Sequence, residues 1–201
     1  MKKLTLLLLL VSLTLQAKFY RATLNYGDGT EKNGYTDAPG FSDSTIKFRT
    51  SKDGDSEKIE SELLSAITIT FDDNTKTSYY YIYPAALSMK GAVKKEKIKK
   101  WLAAVYLGKT NFLYVTMTGN IANSFPGDYY YINVPGNDYA LYFTTKHAGF
   151  TKVVGEQKLY KKLIAWHFKD ICPALVEKSE SGEFVTKDMT ELIEFYKKTC
   201  E

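Results

Sequence analysis

Short runs of alternating apolar and polar residues, punctuated by turn residues, fill positions 18–83. Phe19 to Tyr26 leads into Gly27-Asp28-Gly29, residues that tolerate positive φ, and Thr30 to Tyr35 returns as the second arm of a hairpin. Thr45 to Thr50 puts Ile46 and Phe48 on one face, Asp53-Gly54 turns, and Ser56 to Ser61 carries Ile59. Ile67, Ile69 and Phe71 alternate with Thr68 and Thr70, the period of a half-buried strand. Asp72-Asp73-Asn74 then turns the chain into Thr77 to Tyr83. Strands this short with turns this frequent predict a small antiparallel barrel or a curled sheet.

The pattern changes twice beyond residue 83. Residues 84–100 read as a connector in which Lys90, Lys94, Lys95, Lys97, Lys99 and Lys100 crowd into eleven positions. Such a run is either a solvated face or a binder of anionic surfaces, and the solvated face is the expectation. Ile98, Trp101, Leu102, Val105 and Tyr106 fit a helical stripe. Yet Gly108-Lys109-Thr110 between two apolar runs, with the β-branched and aromatic Asn111 to Thr118, favours a hairpin; residues 98–107 stay open between strand and helix. Tyr129 to Val134, a turn at Pro135-Gly136-Asn137, and Tyr139 to Thr145 make a further hairpin. After that the period lengthens. Leu159, Leu163, Ile164 and Phe168 share one helical face, Pro173 suits the first turn of a short helix ending near Lys178, and Thr186 is a candidate N-cap. Met189, Leu192, Ile193 and Tyr196 recur at helical spacing, with Asp188 and Lys197-Lys198 placed to suit the helix dipole. The fold class expected is α+β. A small antiparallel β-barrel-like region (18–85) is followed by a β-hairpin region with a Lys-rich connector (86–156) and a helical C-terminal segment (157–201).

The first seventeen residues have a different character. Met1-Lys2-Lys3, an apolar run from Leu4 to Leu15, and Gln16-Ala17 follow the order of a signal peptide, and the run is too short to span a bilayer. The expectation is a chain exported to the periplasm or secreted, starting near Lys18 and carrying no membrane-spanning segment. Cleavage would remove two lysines and no acid, so the net charge falls from +4 to +2. That balance makes nucleic acid a poor partner, and a protein or glycan partner is the expectation; oligomeric state is not legible.

Several separated pieces carry a resemblance: "DGTEKNGYTD" followed by "STIKF", then "WLAAVYLGKTNFLYV", then "YYYINVPGNDYALY", then a tail from "FKDIC" to "IEFYKKTC". In this order they are similar to an uncharacterised family of exported proteins from Gram-negative bacteria. The resemblance implies a β-rich front and a helical end, and it brings no activity and no site residues. The front also looks like an SH3-like or Sm-like barrel in its turn-bearing hairpin, polar loop and "IKF" strand.

Candidate chemistry is sparse. His147 and His167 stand far apart without CxxC or HExxH, and Asp53, Asp55 and Glu57 lack the length and closing Glu of a calcium loop, so no metal and no cofactor is expected. Ser124 lies in Ala122-Asn123-Ser124-Phe125-Pro126, which is no nucleophile elbow, and no catalytic residue is nominated. Cys172 and Cys200 are the two cysteines of a chain expected to meet an oxidising compartment. An intramolecular disulfide is the leading expectation, which the family-like ending supports; a buried thiol, a free thiol and a bridge between chains are the alternatives.

Tyrosine is the one compositional excess, with 16 residues. Tyr79, Tyr81 and Tyr83 would share a strand face, and Tyr129 and Tyr131 another. Exposed, such rows could stack on sugars or pack a partner; otherwise Tyr is a strand former with one wet end. The function expected is a non-catalytic envelope or secreted protein that binds a partner through a β-sheet surface. The alternatives are a carbohydrate-binding module using the Tyr rows, and a hydrolase of unrecognised type. A flat exposed tyrosine row would favour the module; paired carboxylates in a cleft, or His167 beside an acid, would favour the hydrolase.

Overall fold

The computed structural model describes residues 18–88, 91–118, 126–147, 156–186 and 188–201. The signal-peptide expectation for residues 1–17, Lys90 and Ser124 lie outside them. The front folds as its alternation dictates. β1 (Tyr20–Tyr26) and β2 (Glu31–Thr36) form the first hairpin. Gly29 sits at φ +86° in its turn, and the Asp28 carboxylate accepts from the Thr30 amide at 2.9 Å. β3 (Thr45–Arg49) and β4 (Glu57–Glu60) pair around the Asp53-Gly54 turn and bury Ile46, Phe48 and Ile59. β2 can approach β3 only because residue 34 is glycine: a Cβ there would lie 2.2 Å from the Arg49 carbonyl oxygen and 2.3 Å from the Phe48 ring. A 3-10 turn (Ser61–Leu63) leads into β5 (Leu64–Thr70), where Ile67 and Ile69 are buried. Asn74, at φ +63°, turns the chain into β6 (Lys76–Leu87).

β6 has twelve residues, long enough to change partners along both edges. On one edge it pairs with β5 through Lys76–Tyr80 and then, in parallel, with β11 (Tyr139–His147) through Tyr83, Pro84 and Ala85. On the other it pairs with β8 (Lys100–Tyr106) through Tyr79–Ile82 and then with β7 (Val93–Lys95) through Ala85–Leu87. β9 (Asn111–Met117) and β10 (Gly127–Asn133) complete the circuit β6-β8-β9-β10-β11 back to β6, a closed five-stranded barrel. Strands β5, β1, β2, β3 and β4 extend from it, in that order, as further strands of the same sheet. The closed barrel is built mainly from strands beyond residue 83, and the strands of residues 18–83 add to it. Register shifts at Ala104/Tyr106 in β8 and at Tyr130/Tyr131 in β10 supply bends that closure needs.

Two local expectations are corrected. Residues 84–100 are not a plain connector: 84–87 end β6, 93–95 form β7 and Lys100 opens β8. Pro84 is tolerated because of where it falls. Its carbonyl accepts from the Glu96 amide at 2.7 Å, so its nitrogen faces the edge where pairing passes from β8 to β7 and no donor is required. Residues 100–106, within the stretch left open, are strand. The second correction is the cap of the last helix, α3 (Met189–Cys200). Asp188 accepts from the amides of Thr190 at 2.7 Å and Glu191 at 3.4 Å, the second and third helical positions that a cap must reach. Thr186 is two residues too early; buried, it accepts from the Asp188 amide and donates to Glu191 Oε2.

The helices cover the outer face of the barrel. α1 (Glu156–Phe168), α2 (Pro173–Ser181) and α3 pack Ile164, Phe168, Leu175, Leu192 and Tyr196 against Phe112, Ile132 and Phe143 from β9, β10 and β11. Phe112 is central, with ring centroids of Phe168 at 6.0 Å and Tyr196 at 5.2 Å, and the Tyr196 hydroxyl donates to Thr110 Oγ1 at 2.9 Å. Gly182, at φ +84°, ends α2. Among the described residues no helix is long and apolar enough to cross a membrane.

Cys172 and Cys200 form an intramolecular disulfide, with Cα atoms 5.7 Å apart. It ties the start of α2 to the end of α3. Beside it the Lys109 ammonium donates to the carbonyl oxygens of Cys200 and Glu201, and the Lys109 amide donates to Glu201 Oε1. The C-terminus is thereby held on the β8–β9 turn. With 28 positions between the cysteines, loop closure is worth about 3–4 kcal/mol in the chain-entropy treatment. The Cys172→Ala/Cys200→Ala variant should lose stability of that order in urea unfolding, and thiol titration of the denatured, unreduced protein should find no free thiol.

Candidate functional site

The tyrosines divide between the two faces of β6. Tyr79, Tyr81 and Tyr83 share one face, as their spacing requires, but they make no open platform. Tyr81 is 8% exposed, its ring centroid lies 5.0 Å from that of Trp101, and its hydroxyl donates to Glu62 at 3.4 Å. Tyr79 is half-buried against the same core, which includes Leu24, Ile67 and Ile69. The Lys99 ammonium sits over the Tyr81 and Tyr83 rings at 5.7 and 5.5 Å. Tyr80 and Ile82 point the other way, into the barrel.

Strand register identifies the barrel interior, because directly opposed residues share a face. Tyr80 opposes Leu102, Ala104 opposes Leu113, and Leu113 opposes Tyr131. Ile82, Leu102, Leu113, Tyr131 and Ala140 are its buried members, with Val115 and Tyr129 packed against them. Toward the end of the barrel where β6 and β9 finish and β10 begins, this interior opens into a groove of about 630 Å³. Phe41, Pro84, Ala85, Ala86 and Met117 give it apolar walls, and Tyr129, Tyr131 and Tyr142 line it with aromatic rings. Tyr142 opposes Tyr131 across the register shift, with ring centroids 5.9 Å apart and planes at 74°; Tyr129 lies 6.4 Å from Tyr142. Tyr131 is 6% exposed, whereas Tyr142 is 37% exposed and shares a 2.6 Å hydrogen bond with Thr145 Oγ1. Burial pushes the Tyr131 phenol well above its ordinary pKa, and the nearby Glu96 carboxylate adds to this. Burial raises Tyr142 as well. Both phenols are therefore neutral at physiological pH, apolar in body and able to donate.

The lysines of 94–100 separate into two groups. Lys95 is paired with Asp138 at 2.9 Å and lies over the rings of Tyr83 and Tyr139. Lys99 is paired with Glu62 at 3.5 Å, and Lys100 reaches Ser42 Oγ at 3.1 Å over the Phe41 ring. These three pin β7 and β8 to the rest of the fold. Lys94 and Lys97 are exposed, line the groove, and have no acid or ring partner among the described residues. Glu96 also lines it.

A second cleft, of about 710 Å³, lies at the fork where β5 gives way to β11 along β6. Its polar side chains are largely committed to one another. Asn111 donates to Asn133 Oδ1 at 3.1 Å and accepts from the Gly108 amide, and Asn133 donates to the carbonyls of Asn137 and Tyr139. These contacts hold the barrel's turns and leave little to offer a ligand.

His167 is buried on α1 at 8% exposure, its ring 5.2 Å from Phe143, and its Nδ1 has no hydrogen-bond partner among the described residues. Among the described residues no acid is paired with it in the manner a hydrolase would need. His147 ends β11. Of the nominated residues, the fold brings Tyr129 and Tyr131 together in one groove and Cys172 and Cys200 together in one bridge. Phe41, Tyr142 and the separation of the lysines escaped the sequence reading, since each depends on register or on pairing between distant strands. No family model, curated protein or solved structure matches this chain.

Desolvation lowers the His167 pKa from 6.5 to about 4. Between those values the unfolded chain binds the proton and the folded chain does not. Stability is therefore full above about pH 6.5 and falls as the pH drops toward 4, by about 3 kcal/mol from this group. Unfolding midpoints measured from pH 7 to 4 should fall less steeply in His167→Phe than in the natural protein; equal slopes would refute the assignment.

Proposed function

We propose that this chain is an exported binding protein whose ligand enters the tyrosine-lined groove at the end of the barrel. The observation that carries the reading is the convergence of Tyr129, Tyr131 and Tyr142 on one concave, apolar surface beside unpaired lysines. Concave, mostly apolar sites with a few placed polar groups, in the mouths of β-barrels among other places, are where small ligands are commonly held. Strands β6, β9, β10 and β11 contribute to this surface. A sugar stacking on a flat tyrosine row has less support, because Tyr81 and Tyr131 are almost wholly covered.

Export is supported by Lys2-Lys3, the Leu-rich run and Ala17, and by a disulfide compatible with an oxidising compartment. Protein recovered from its native cell should begin near Lys18 by mass spectrometry. An intact Met1 in a cytosolic fraction would end this part of the proposal.

Binding is tested with the neutral apolar fluorophore N-phenyl-1-naphthylamine. It should bind saturably, and Tyr142→Ala, at a position already partly exposed, should weaken it roughly fivefold or more with little change in melting temperature. Absence of saturable binding, or an unchanged affinity in the variant, would refute the site.

A further inference from the structure

We infer that the ligand of this groove is a small organic anion, with an apolar body held among the tyrosines and a carboxylate, sulfonate or phosphate group held by Lys94 and Lys97. The inference rests on the groove being the binding site and goes further, to the charge of what it binds. Its basis is the way the fold distributes one run of lysines. Five lysines of residues 94–100 are described, and three of them are occupied: Lys95 by Asp138, Lys99 by Glu62, and Lys100 by Ser42 and the Phe41 ring. The two that remain, Lys94 and Lys97, both line the groove.

Electrostatics at this rim has one opposing member. Glu96 lines the same groove and lies close enough to Tyr131 to raise its pKa. With Lys95 neutralised by Asp138, the charges facing a ligand are two lysines against one glutamate, a net of one positive charge. Among the described residues the walls offer nothing else charged. Pro84, Ala85, Ala86 and Met117 are apolar, and the phenols of Tyr131 and Tyr142 stay protonated. An uncharged ligand would leave the lysines without a role in binding, and a cation would meet them as repulsion. Phenolic hydroxyls and ammonium groups are all hydrogen-bond donors, which suits an acceptor-only anionic head. Exposed lysines act through solvent, so each contributes modestly, and together a gain of roughly fivefold to tenfold in affinity is the scale expected at low salt.

Two fluorophores that share a skeleton isolate this effect: 8-anilinonaphthalene-1-sulfonate, which carries a sulfonate, and N-phenyl-1-naphthylamine, which does not. In Lys94→Gln/Lys97→Gln the affinity for the sulfonate should fall roughly fivefold while the neutral probe keeps its affinity. Glu96→Gln should strengthen the sulfonate alone, and 0.5 M sodium chloride should erase the difference between the natural protein and the double variant. Decanoate should displace the sulfonate where decanol and inorganic phosphate do so poorly, because both body and head are required. Equal loss of both probes in the double variant, or no loss of either, overturns the anion inference while leaving the groove as the site. Displacement of the neutral probe by benzyltrimethylammonium, weakened in Glu96→Gln, overturns it in favour of a cation. If the neutral probe does not bind the natural protein at all, the site itself fails and this inference with it.

Discussion

A strand cannot be flanked by four partners unless it is long enough to hand each edge from one to the next. β6 does this, passing from β5 to β11 on one edge and from β8 to β7 on the other. The rest of the molecule depends on that exchange. The strands β5 and β1–β4 hang from the first half of β6 and the barrel closes on the second, through three residue pairs in parallel register at Tyr83, Pro84 and Ala85. Closure removes the edges that β6 and β11 would otherwise expose, and it makes an inside and an outside. The inside ends in the tyrosine-lined groove, and the outside gives the helices an apolar surface to cover. Pro84 belongs to this junction for the same reason: its missing donor costs nothing where one partner strand has ended and the next has yet to begin.

What the sequence reveals of this follows from how local each signal is. Alternation in residues 19–35 and 67–83 is dictated by one buried face, so the hairpins β1–β2 and β5–β6 are legible from the residues themselves. The helical spacing of Met189, Leu192, Ile193 and Tyr196 is equally local, and all four are buried as that spacing demands. β7 is illegible because two of its three residues are lysine, a poor strand former, and its pairing rests on a neighbour instead of its own propensity. Thr186 and Asp188 are both good caps by residue type; only the true first turn of α3 decides between them. Closure is the least legible feature, since Tyr139 to Leu141 carry nothing that points to residues 83–85.

The same limit governs the site. Tyr129 and Tyr131 stand out by composition, and alternation puts them on one face. A register shift at Tyr130/Tyr131 sets Tyr142 opposite Tyr131, and no local pattern announces a shift of that kind. Six lysines in eleven positions look alike as sequence. Their difference lies in whether Asp138, Glu62 or an aromatic ring arrives from a distant strand, and those partners come from both sides of β6. Tyr79, Tyr81 and Tyr83 fail as a platform for a related reason: Trp101 is set across from Tyr81 by the β6–β8 pairing and covers the middle of the row.

Two rows of tyrosine thus meet opposite fates through the same physics. In the row on β6, the central ring is sealed by tryptophan and the charged cover, Lys99, is already paired, so the row contributes rigidity to the strand on which everything hangs. In the β10–β11 row, the central ring is equally covered, but Tyr142 beside it is partly exposed and the cations nearby are unpaired. A buried phenol such as Tyr131 holds its rotamer through packing, and this fixes the wall against which an outer ring rests. The covering of Tyr131 is therefore what gives the groove a defined shape, while the exposure of Tyr142 makes that shape accessible. One sheet surface supplies the rigid and the receptive part together because the β10–β11 register sets the covered Tyr131 directly opposite the partly exposed Tyr142.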